Sequence, residues 1–326
     1  MRGEFAALIR LTSQLADTAP DLRPGPGETW IGDDAAVVTP GPGRLLLAAD
    51  TVVEGVHADL TLTGLDDLGW KAMAVNMSDI AAMGGVPAQA LVAVSGPAQT
   101  DLELLYRGIA AAAACFGCPV VGGDLTNAPL LVVTVAVTGR VEGAPVLRSG
   151  ARPGDGIWVS GPLGASAAGL RSYRRGGPAT GTVDQALRAA HARPSPALRA
   201  GLAAREAGAH AMIDVSDGLS ADLGHLADAS GVGFRLERVP VAEGATEADA
   251  LGGGEDYALV FTAPDATAVR AAFAGLAAPE LIGVCTEDPG ERRLRGRPLP
   301  VTGWEHEWSE APAGGPSAPG PGAAGM

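Results

Sequence analysis

The sequence predicts an α/β protein of two domains, on three observations. Segments with apolar residues at helical spacing alternate with short apolar runs typical of strands. The 326 residues, of which 47% are hydrophobic, suffice for two cores. A turn-rich stretch at residues 148–156 separates the halves. We therefore predict domains over residues 1–148 and 149–308, then a disordered tail over 309–326, where large apolar side chains are almost absent.

The first half mixes strands and helices. We predict strands at residues 44–50, 89–95, 120–124 and 130–141, and helices at 66–84 and 101–116. Thr100 is the expected N-cap of the second helix. The apolar face of the first helix consists of Trp70, Met73, Met77 and Ile80. Asn76 and Asp79 share another face of that helix and could both meet a ligand.

The second half alternates in the same way. Helices are expected near residues 164–175, 184–192, 196–207, 218–229 and 266–275. Strands are expected near residues 157–160, 211–214, 233–238, 256–262, 280–285 and 299–301. Every acidic motif discussed below thus falls at the end of a strand, in a turn or on a helix of this pattern.

Composition excludes several classes of function. A formal net charge of −14 argues against binding to nucleic acid, which requires a basic surface. No apolar stretch is long enough to span a bilayer, and none follows a basic N-terminal segment, so we expect a cytoplasmic protein without a signal peptide. Three cysteines are too few for a disulfide framework, and the CxxC at residues 115–118 is typical of a helix C-terminal turn.

Short acidic motifs are scattered along the chain among Gly, Ala and Ser. Their carboxylates belong to Asp33, Asp34, Asp50, Asp79, Asp124, Asp214, Asp217, Glu255 and Asp256. Carboxylates in apolar, turning segments are costly unless a cation meets them, and Lys71 is the only lysine in the sequence. Several Mg²⁺ ions held by Asp oxygens are the economical explanation, and clustered Mg²⁺ indicates phosphate chemistry.

Some of these motifs also have ordinary structural interpretations. Adjacent residues in a strand face opposite ways, so only one of Asp33 and Asp34 need be a ligand, and Asp34 is favoured. At residues 214–218, Asp217 or Ser216 could cap the following helix. Alternatively, Asp214 and Asp217 bind metal while Ser216 meets a phosphate, which accounts for all three side chains.

The remaining candidates are equally open on the residues alone. Glu255 and Asp256 follow three glycines and could bind an organic cation or lie in a solvated loop. His57 is either a structural hydrogen-bonding residue or part of a site. The sequence contains neither a P-loop motif nor the protein-kinase signatures.

Taken in order and spacing, the motifs resemble the thiamine-monophosphate kinase family. The segments that carry this resemblance are residues 32–37, 50–57, 70–84, 214–223 and 253–257. The resemblance implies an aminoimidazole-ribonucleotide synthase-like fold, in which an N-terminal α/β sheet pairs with that of a second subunit and a C-terminal α/β domain packs against it. It also implies direct in-line transfer of the γ-phosphoryl group of ATP to thiamine monophosphate, the last step in making thiamine diphosphate.

The resemblance further implies roles for individual residues. The implied Mg²⁺ ligands are Asp34, Asp50, Asp79, Asp124, Asp214 and Asp217, with Asp33 and the position of Ala49 as further candidates. The implied ATP contacts are Gly123, Asp124, Arg148 and Ser216. The implied thiamine monophosphate contacts are His57, Glu255 and Trp304. No general base is expected, because a phosphate monoester is already a nucleophile once its charge is offset.

The sequence departs from the family pattern at two places. Ala48 and Ala49 stand where the family usually has hydroxyl residues, so the number of metal ions is open. Ala58 replaces the aromatic residue that usually follows the histidine. Two alternatives remain. One is another ATP-dependent enzyme of the superfamily. The lack of a reactive cysteine in the N-terminal segment and of a terminal cysteine at the C-terminus argues against such an enzyme. The other is a non-catalytic ATP- or metal-binding protein, which only the lost hydroxyls support.

Overall fold

The computed structural model describes residues 4–31, 35–299 and 302–304. Two of the predicted ligands, Asp33 and Asp34, and the predicted tail at 309–326 lie outside the described residues. Within the described part, the chain forms a four-stranded sheet in its first half and a seven-stranded sheet in its second. The mixed α/β class is therefore confirmed, whereas the domain limits at residues 148 and 149 stay a prediction.

The four-stranded sheet has the order β1-β4-β2-β3. The elements of the first half are α1 (Glu4–Thr18), β1 (Arg44–Val53), α2 (Leu65–Ala82), β2 (Val86–Gly96), α3 (Leu102–Phe116), β3 (Val120–Asn127) and β4 (Val132–Val141). β4 pairs antiparallel with β1 and β2, and β3 pairs parallel with β2. Val133, Val135 and Val137 are buried in the core of this half, while Ala136 between them is exposed on the other face.

The seven-stranded sheet has the order β11-β10-β7-β9-β5-β8-β6. Its strands are β5 (Gly156–Val159), β6 (Ala211–Asp214), β7 (Gly233–Leu236), β8 (Leu259–Ala263), β9 (Glu280–Thr286), β10 (Arg292–Leu294) and β11 (Arg297–Pro298). The helices are α4 (Ala165–Arg175), α5 (Gly181–Ala192), α6 (Leu198–Glu206), α7 (Leu219–Ser230), α8 (Glu247–Gly252) and α9 (Ala266–Ala272). β6 and β8 are buried at every position, because both faces of the sheet are covered there.

Helix α2 joins the two halves. It packs on β1 and β4 of its own sheet and on α6 and β6 of the second half. Most of its residues are consequently buried around the whole helix, including the polar Lys71, Asn76 and Ser78. Gly201 of α6 allows the close approach, since a Cβ there would overlap the carbonyl oxygen of Ala81.

Several predicted details are corrected. Asp101, not Thr100, caps α3, because its carboxylate accepts the Leu104 amide at 3.0 Å. β1 continues to Val53 and β3 to Asn127, so Asp50 and Asp124 lie inside strands rather than at their ends. The strand expected near 299–301 is not formed at Leu299, and β10 and β11 precede it. Helices α1 and α8 were not predicted, although Leu8, Leu11 and Leu15 give α1 apolar residues at helical spacing.

The close packing of α2 on α6 can be tested at Gly201. Gly201→Val should lower the free energy of unfolding by about 1–3 kcal/mol, because the side chain must displace the backbone of Ala81. Urea denaturation followed by circular dichroism measures this change. Arg199→Val, which places the same side chain at an exposed position of α6, is the control and should change stability by about 0.5 kcal/mol or less. Equal effects of the two variants would contradict this packing.

Candidate active site at the junction of the halves

Asp50 is fixed relative to α2 by a buried amide. The Asn76 side chain is fully buried, and its Oδ1 accepts the Asp50 amide at 2.9 Å. Its Nδ2 donates to the Ala72 carbonyl at 3.0 Å. The sequence allowed Asn76 to meet a ligand together with Asp79, but in the structure its side-chain amide hydrogen-bonds to the backbone at both ends. Asn76 instead ties β1 to α2 beside Asp50.

Asp214 meets α2 from the other half of the chain. It is the last residue of β6 and only 5% exposed, and its Oδ2 accepts the Ser78 hydroxyl at 2.7 Å. Burial raises the pKa of Asp214, and the Ser78 hydrogen bond and the nearby Arg148 charge oppose this rise. Asp79 directly follows Ser78 in the chain. The contact of α2 with Asp214 therefore brings two predicted metal ligands, Asp79 and Asp214, to one place.

Asp50, Asp79 and Asp214 form an electrostatically coupled group, called here the junction carboxylates. Burial, together with the charges of Asp214 and Asp50, raises the pKa of Asp79 to about 7, and the charge of Arg148 opposes this rise. Asp50 is exposed at the surface, yet the surrounding protein still desolvates its carboxyl and raises its pKa. The structure thus concentrates negative charge from β1, α2 and β6, with Arg148 as the cation that opposes it at both Asp79 and Asp214.

The donor chemistry of this group fits a hard divalent cation. Carboxylates that raise one another's pKa gain from a bound cation, and oxygen is the donor that Mg²⁺ prefers. However, over the described residues 4–31, 35–299 and 302–304, no three His, Cys, Asp or Glu side chains converge closely enough to hold one metal ion. The predicted ligands Asp33 and Asp34 lie outside those residues. The predicted set of several Mg²⁺ ions therefore stays a prediction.

The turn between β6 and α7 is organised by Asp222, a residue that the sequence reasoning missed. Its Oδ2 accepts the amides of Asp217 at 3.1 Å and Gly218 at 3.0 Å. The N-cap position of α7 is Gly218, so neither Ser216 nor Asp217 occupies it. The available signal was an acidic residue in the first turn of the helix that follows the motif.

The segment 254–257 runs along this turn in a constrained conformation. Glu255 and Tyr257 have φ of 57° and 50°, values that are uncommon for residues other than glycine. Their amides donate to the carbonyls of Ser216 at 2.7 Å and Val215 at 2.9 Å. The backbone at residues 215–217 and the segment 254–257 are thus fixed together.

The acidic pair of this segment is divided between two tasks. The Asp256 carboxylate accepts the amides of Gly164 at 2.6 Å and Ser166 at 3.2 Å, at the N-terminus of α4. Glu255 turns the other way and contacts Lys71, with Nζ–Oε1 and Nζ–Oε2 distances of 3.0 and 3.1 Å. The interpretation as a solvated loop is wrong for both side chains, because each has a specific partner.

The other predicted contacts lie around this centre. The backbone N–H of Trp304 donates to the Asp217 carbonyl at 3.2 Å, and Trp304 is 57% exposed. His57 Nδ1 accepts the Val53 amide at 3.1 Å, as its structural interpretation requires. Ser216 lies in the β6–α7 turn, and Arg148 is exposed.

Gly123 and Asp124 lie on the edge strand β3. Gly123 is where β3 approaches β2 most closely, since a Cβ there would overlap the Val92 carbonyl. Asp124 is exposed and its Oδ2 accepts the Thr126 hydroxyl at 2.8 Å. No contact among the described residues joins Asp124 to the junction carboxylates, so its predicted role as a shared metal ligand stays a prediction.

Comparison with known proteins places this geometry in a family. The model of the AIR synthase related protein N-terminal domain matches residues 32–141, and that of the C-terminal domain matches residues 152–294. A protein from Mycobacterium tuberculosis named thiamine-monophosphate kinase is 40% identical over 276 residues, which cover 79% of this chain and 80% of the relative. The chain belongs to the thiamine-monophosphate kinase family. A relative of the same name from Salmonella typhimurium is 38% identical over 81% of this chain and 83% of its own length.

Solved structures agree with this assignment. Thiamine-monophosphate kinase from Stenotrophomonas maltophilia has a TM-score of 0.77 at 36% identity, covering 90% of this chain and 97% of that chain. A structure described as AaThiL complexed with AMPPCP and TMP has a TM-score of 0.74 at 31% identity, covering 94% and 99%. The predicted family and two-domain fold are thus confirmed, whereas pairing of sheets across a dimer stays a prediction. No helix in the described part of the chain is long and apolar enough to cross a membrane.

The role of Asp222 can be tested through the pH dependence of stability. Burial, helped by the charges of Asp217 and Asp214, raises its pKa from 3.8 to about 8. Between these values the unfolded state releases the proton and the folded state keeps it, so stability falls as pH rises from about 4 to about 8. Asp222→Asn keeps an acceptor for both amides, so the stability of this variant should fall less steeply over this pH range. Urea denaturation in EDTA measures this stability.

Asp222→Ala serves as the companion variant. It leaves the amides of Asp217 and Gly218 without their acceptor and should lose about 1–3 kcal/mol even at pH 5. Identical pH slopes for the wild type and Asp222→Asn would show that Asp222 does not titrate as described.

Proposed function

We propose that this protein is a kinase that transfers the γ-phosphoryl group of ATP directly to thiamine monophosphate, forming thiamine diphosphate. Its relatives at 37–40% identity carry the name thiamine-monophosphate kinase, and a neighbouring structure is complexed with AMPPCP and TMP. The observation in this chain that carries the proposal is the group of junction carboxylates. Asp50 and Asp79 come from the first half and Asp214 from the second, beside Arg148.

Mg²⁺ is the cation that we propose for this group. Asp50, Asp79 and Asp214, together with Asp34, Asp124 and Asp217, would hold several such ions between them, and Asp33 and the backbone of Ala49 are further candidates. When bound, Mg²⁺ supplies neutralisation of phosphate charge, the principal requirement when two anions must react. The raised pKa of Asp79 and Asp214 supports the assignment, since these carboxylates gain from a positive neighbour.

The proposed nucleotide contacts surround the same group. Arg148 is exposed and close enough to affect the pKa of both Asp79 and Asp214, so its guanidinium is free to pair with phosphate oxygens next to them. Ser216 lies two residues beyond Asp214 and is partly exposed. We propose that Gly123 and Asp124 complete the ATP site, where a side chain larger than that of Gly123 would collide with β2.

The proposed contacts to thiamine monophosphate are His57, Glu255 and Trp304. The exposed Trp304 lies next to the β6–α7 turn, where an aromatic face can stack on the thiazolium or the aminopyrimidine ring. Glu255 supplies the negative charge that complements the cationic thiazolium ring of the acceptor. No side chain is needed as a general base, so the residues of this site bind, orient and neutralise.

A turnover assay with an Asp214 variant tests this function. The wild type with Mg²⁺, ATP and thiamine monophosphate should yield ADP and thiamine diphosphate, identified by chromatography. Asp214→Asn keeps an acceptor for Ser78 but loses the charge, and should lower kcat by about 100-fold or more without unfolding. Asp101→Asn, an equivalent exchange at the N-cap of α3, should leave kcat unchanged.

The outcomes of this assay separate the alternatives. Binding of ATP without turnover would favour a non-catalytic protein. The absence of hydroxyls at Ala48 and Ala49 would then explain the lack of turnover. Turnover with a different acceptor would favour another enzyme of the superfamily. An Asp214→Asn variant with normal kcat would remove Asp214 from the reaction while leaving the activity itself established.

We also propose a homodimer formed through the outer face of the four-stranded sheet. Leu45 and Leu47 of β1 are 59% and 73% exposed, and Leu91 of β2 is 46% exposed. Ala49, Ala136 and Leu91 are register partners in one row across β1, β4 and β2, and all three are exposed. Leucines that continue such a row into a contiguous apolar surface are typical of an interface between protein chains.

Leu47→Glu tests the proposed dimer. The wild type should elute at twice the chain mass in size exclusion with light scattering, and Leu47→Glu should shift the population to the monomer by placing a charge in the interface. Leu281→Glu, at an exposed position of the second sheet, is the control and should remain dimeric. A wild type that is monomeric at micromolar concentration would contradict the proposal.

A further inference from the structure

Lys71 is buried in the middle of the molecule with every donor engaged. It lies on α2 and is 3% exposed. Its Nζ contacts Oε1 and Oε2 of Glu255 at 3.0 and 3.1 Å and the carbonyl oxygen of His57 at 3.4 Å. An ammonium group has three N–H donors, so these three acceptors match its capacity. A buried ammonium would be strongly destabilising without them.

Lys71 therefore joins two segments to which the proposed function assigns the acceptor. His57 lies 14 residues before Lys71 and Glu255 lies 184 residues after it. Because the ammonium has no N–H left and almost no exposed surface, Lys71 itself is not available to a ligand. Whatever it contributes to binding must act through His57 and Glu255.

The opposite side of the Glu255 carboxylate is held by α4 and α5. Oε2 lies 3.4 Å from His191 Nδ1 and 3.5 Å from Ser166 Oγ, and these two atoms lie 3.0 Å apart. His191 and Ser166 are both buried. Burial alone would raise the pKa of Glu255, but the hydrogen bond to His191 and the charge of Lys71 outweigh it and lower the pKa to about 2.

These contacts leave part of the Glu255 side chain accessible. The side chain is 26% exposed, although Lys71, His191 and Ser166 contact its carboxylate oxygens. Its backbone has φ of 57°, a conformation that persists only where neighbouring contacts determine it. The backbone and the carboxylate are thus both constrained, so the side chain has a fixed direction.

We propose that Lys71, assisted by His191, is a positioning residue that fixes Glu255 and the His57 segment for binding of thiamine monophosphate. This inference rests on the proposed function. Glu255 meets the cationic ring of the acceptor, and Lys71 holds the Glu255 carboxylate in place. A pre-oriented carboxylate binds a cation without having to lose rotamer freedom at that moment, so the effect falls on acceptor affinity.

Lys71→Met is the decisive variant, because it keeps an unbranched side chain and removes the charge. The KM for thiamine monophosphate should rise about 10- to 100-fold, while the KM for ATP and kcat change by less than about 3-fold. Arg193→Met is the matched control. Arg193 also joins α2 to the second half, through Asp66 and Asp67 at 2.6 Å each, and both KM values should stay within about 2-fold.

A double-mutant cycle separates positioning from a purely structural role. If Lys71 acts mainly through Glu255, then Lys71→Met should raise the KM for thiamine monophosphate by about 3-fold or less in a Glu255→Gln background, where only its contact with the His57 carbonyl remains to be lost. Independent, multiplying effects would overturn the proposal. The double variant also lacks the unpaired buried charge, so it should fold even if Lys71→Met alone does not. In that case His191→Ala replaces the single variant, with the same selective rise in KM expected.

The failure of this inference differs from failure of the proposed function. A wild type that does not phosphorylate thiamine monophosphate overturns both. A wild type that does so, with an unchanged KM for thiamine monophosphate in the folded Lys71→Met or His191→Ala variant, overturns the positioning role alone. Calorimetric titration of thiamine monophosphate onto each variant with AMPPCP present provides an independent measure of acceptor affinity.

Discussion

The burial of α2 between two sheets is the constraint on which the site depends. A helix in contact with β1 and β4 on one side and with α6 and β6 on the other cannot leave polar groups in water. Its three buried polar side chains, Lys71, Asn76 and Ser78, therefore each meet a partner from another element. Asn76 binds the backbone beside Asp50, Ser78 binds Asp214, and Lys71 binds Glu255. These contacts connect β1, the β6–α7 turn and the 254–257 segment to one helix.

The same burial creates opposite electrostatic environments at two carboxylates. At Asp79 the surrounding protein and two neighbouring carboxylates raise the pKa to about 7. At Glu255 a buried ammonium and a histidine lower the pKa to about 2. The first environment favours binding of a metal cation, and the second keeps a carboxylate ionised.

The sequence reasoning succeeded where a local pattern reflects local physics. The helix at residues 66–84 and the strand at 211–214 were predicted because apolar spacing reports which side chains are buried. It failed where partners are distant in the chain. The sequence could not show that the Asn76 amide accepts a backbone N–H of β1, rather than facing a ligand with Asp79. Nor could it show that, in the glycine-preceded pair, Asp256 accepts amides at the start of α4 while Glu255 pairs with Lys71 of α2.

The sequence by itself determined the family, the order of the elements and the acidic residues from which a phosphate site is built, because motif spacing and hydrophobic periodicity are properties of the chain. Only the tertiary structure decided which of these residues are electrostatically coupled and which hydrogen-bond to the backbone. It also decided that Asp222 and Lys71 support them. The physical reason is that desolvation, like-charge coupling and hydrogen-bond capacity depend on distances between segments that are far apart in sequence. The scattered acidic motifs are thus resolved into a coupled group at Asp50, Asp79 and Asp214 and a separately held carboxylate at Glu255.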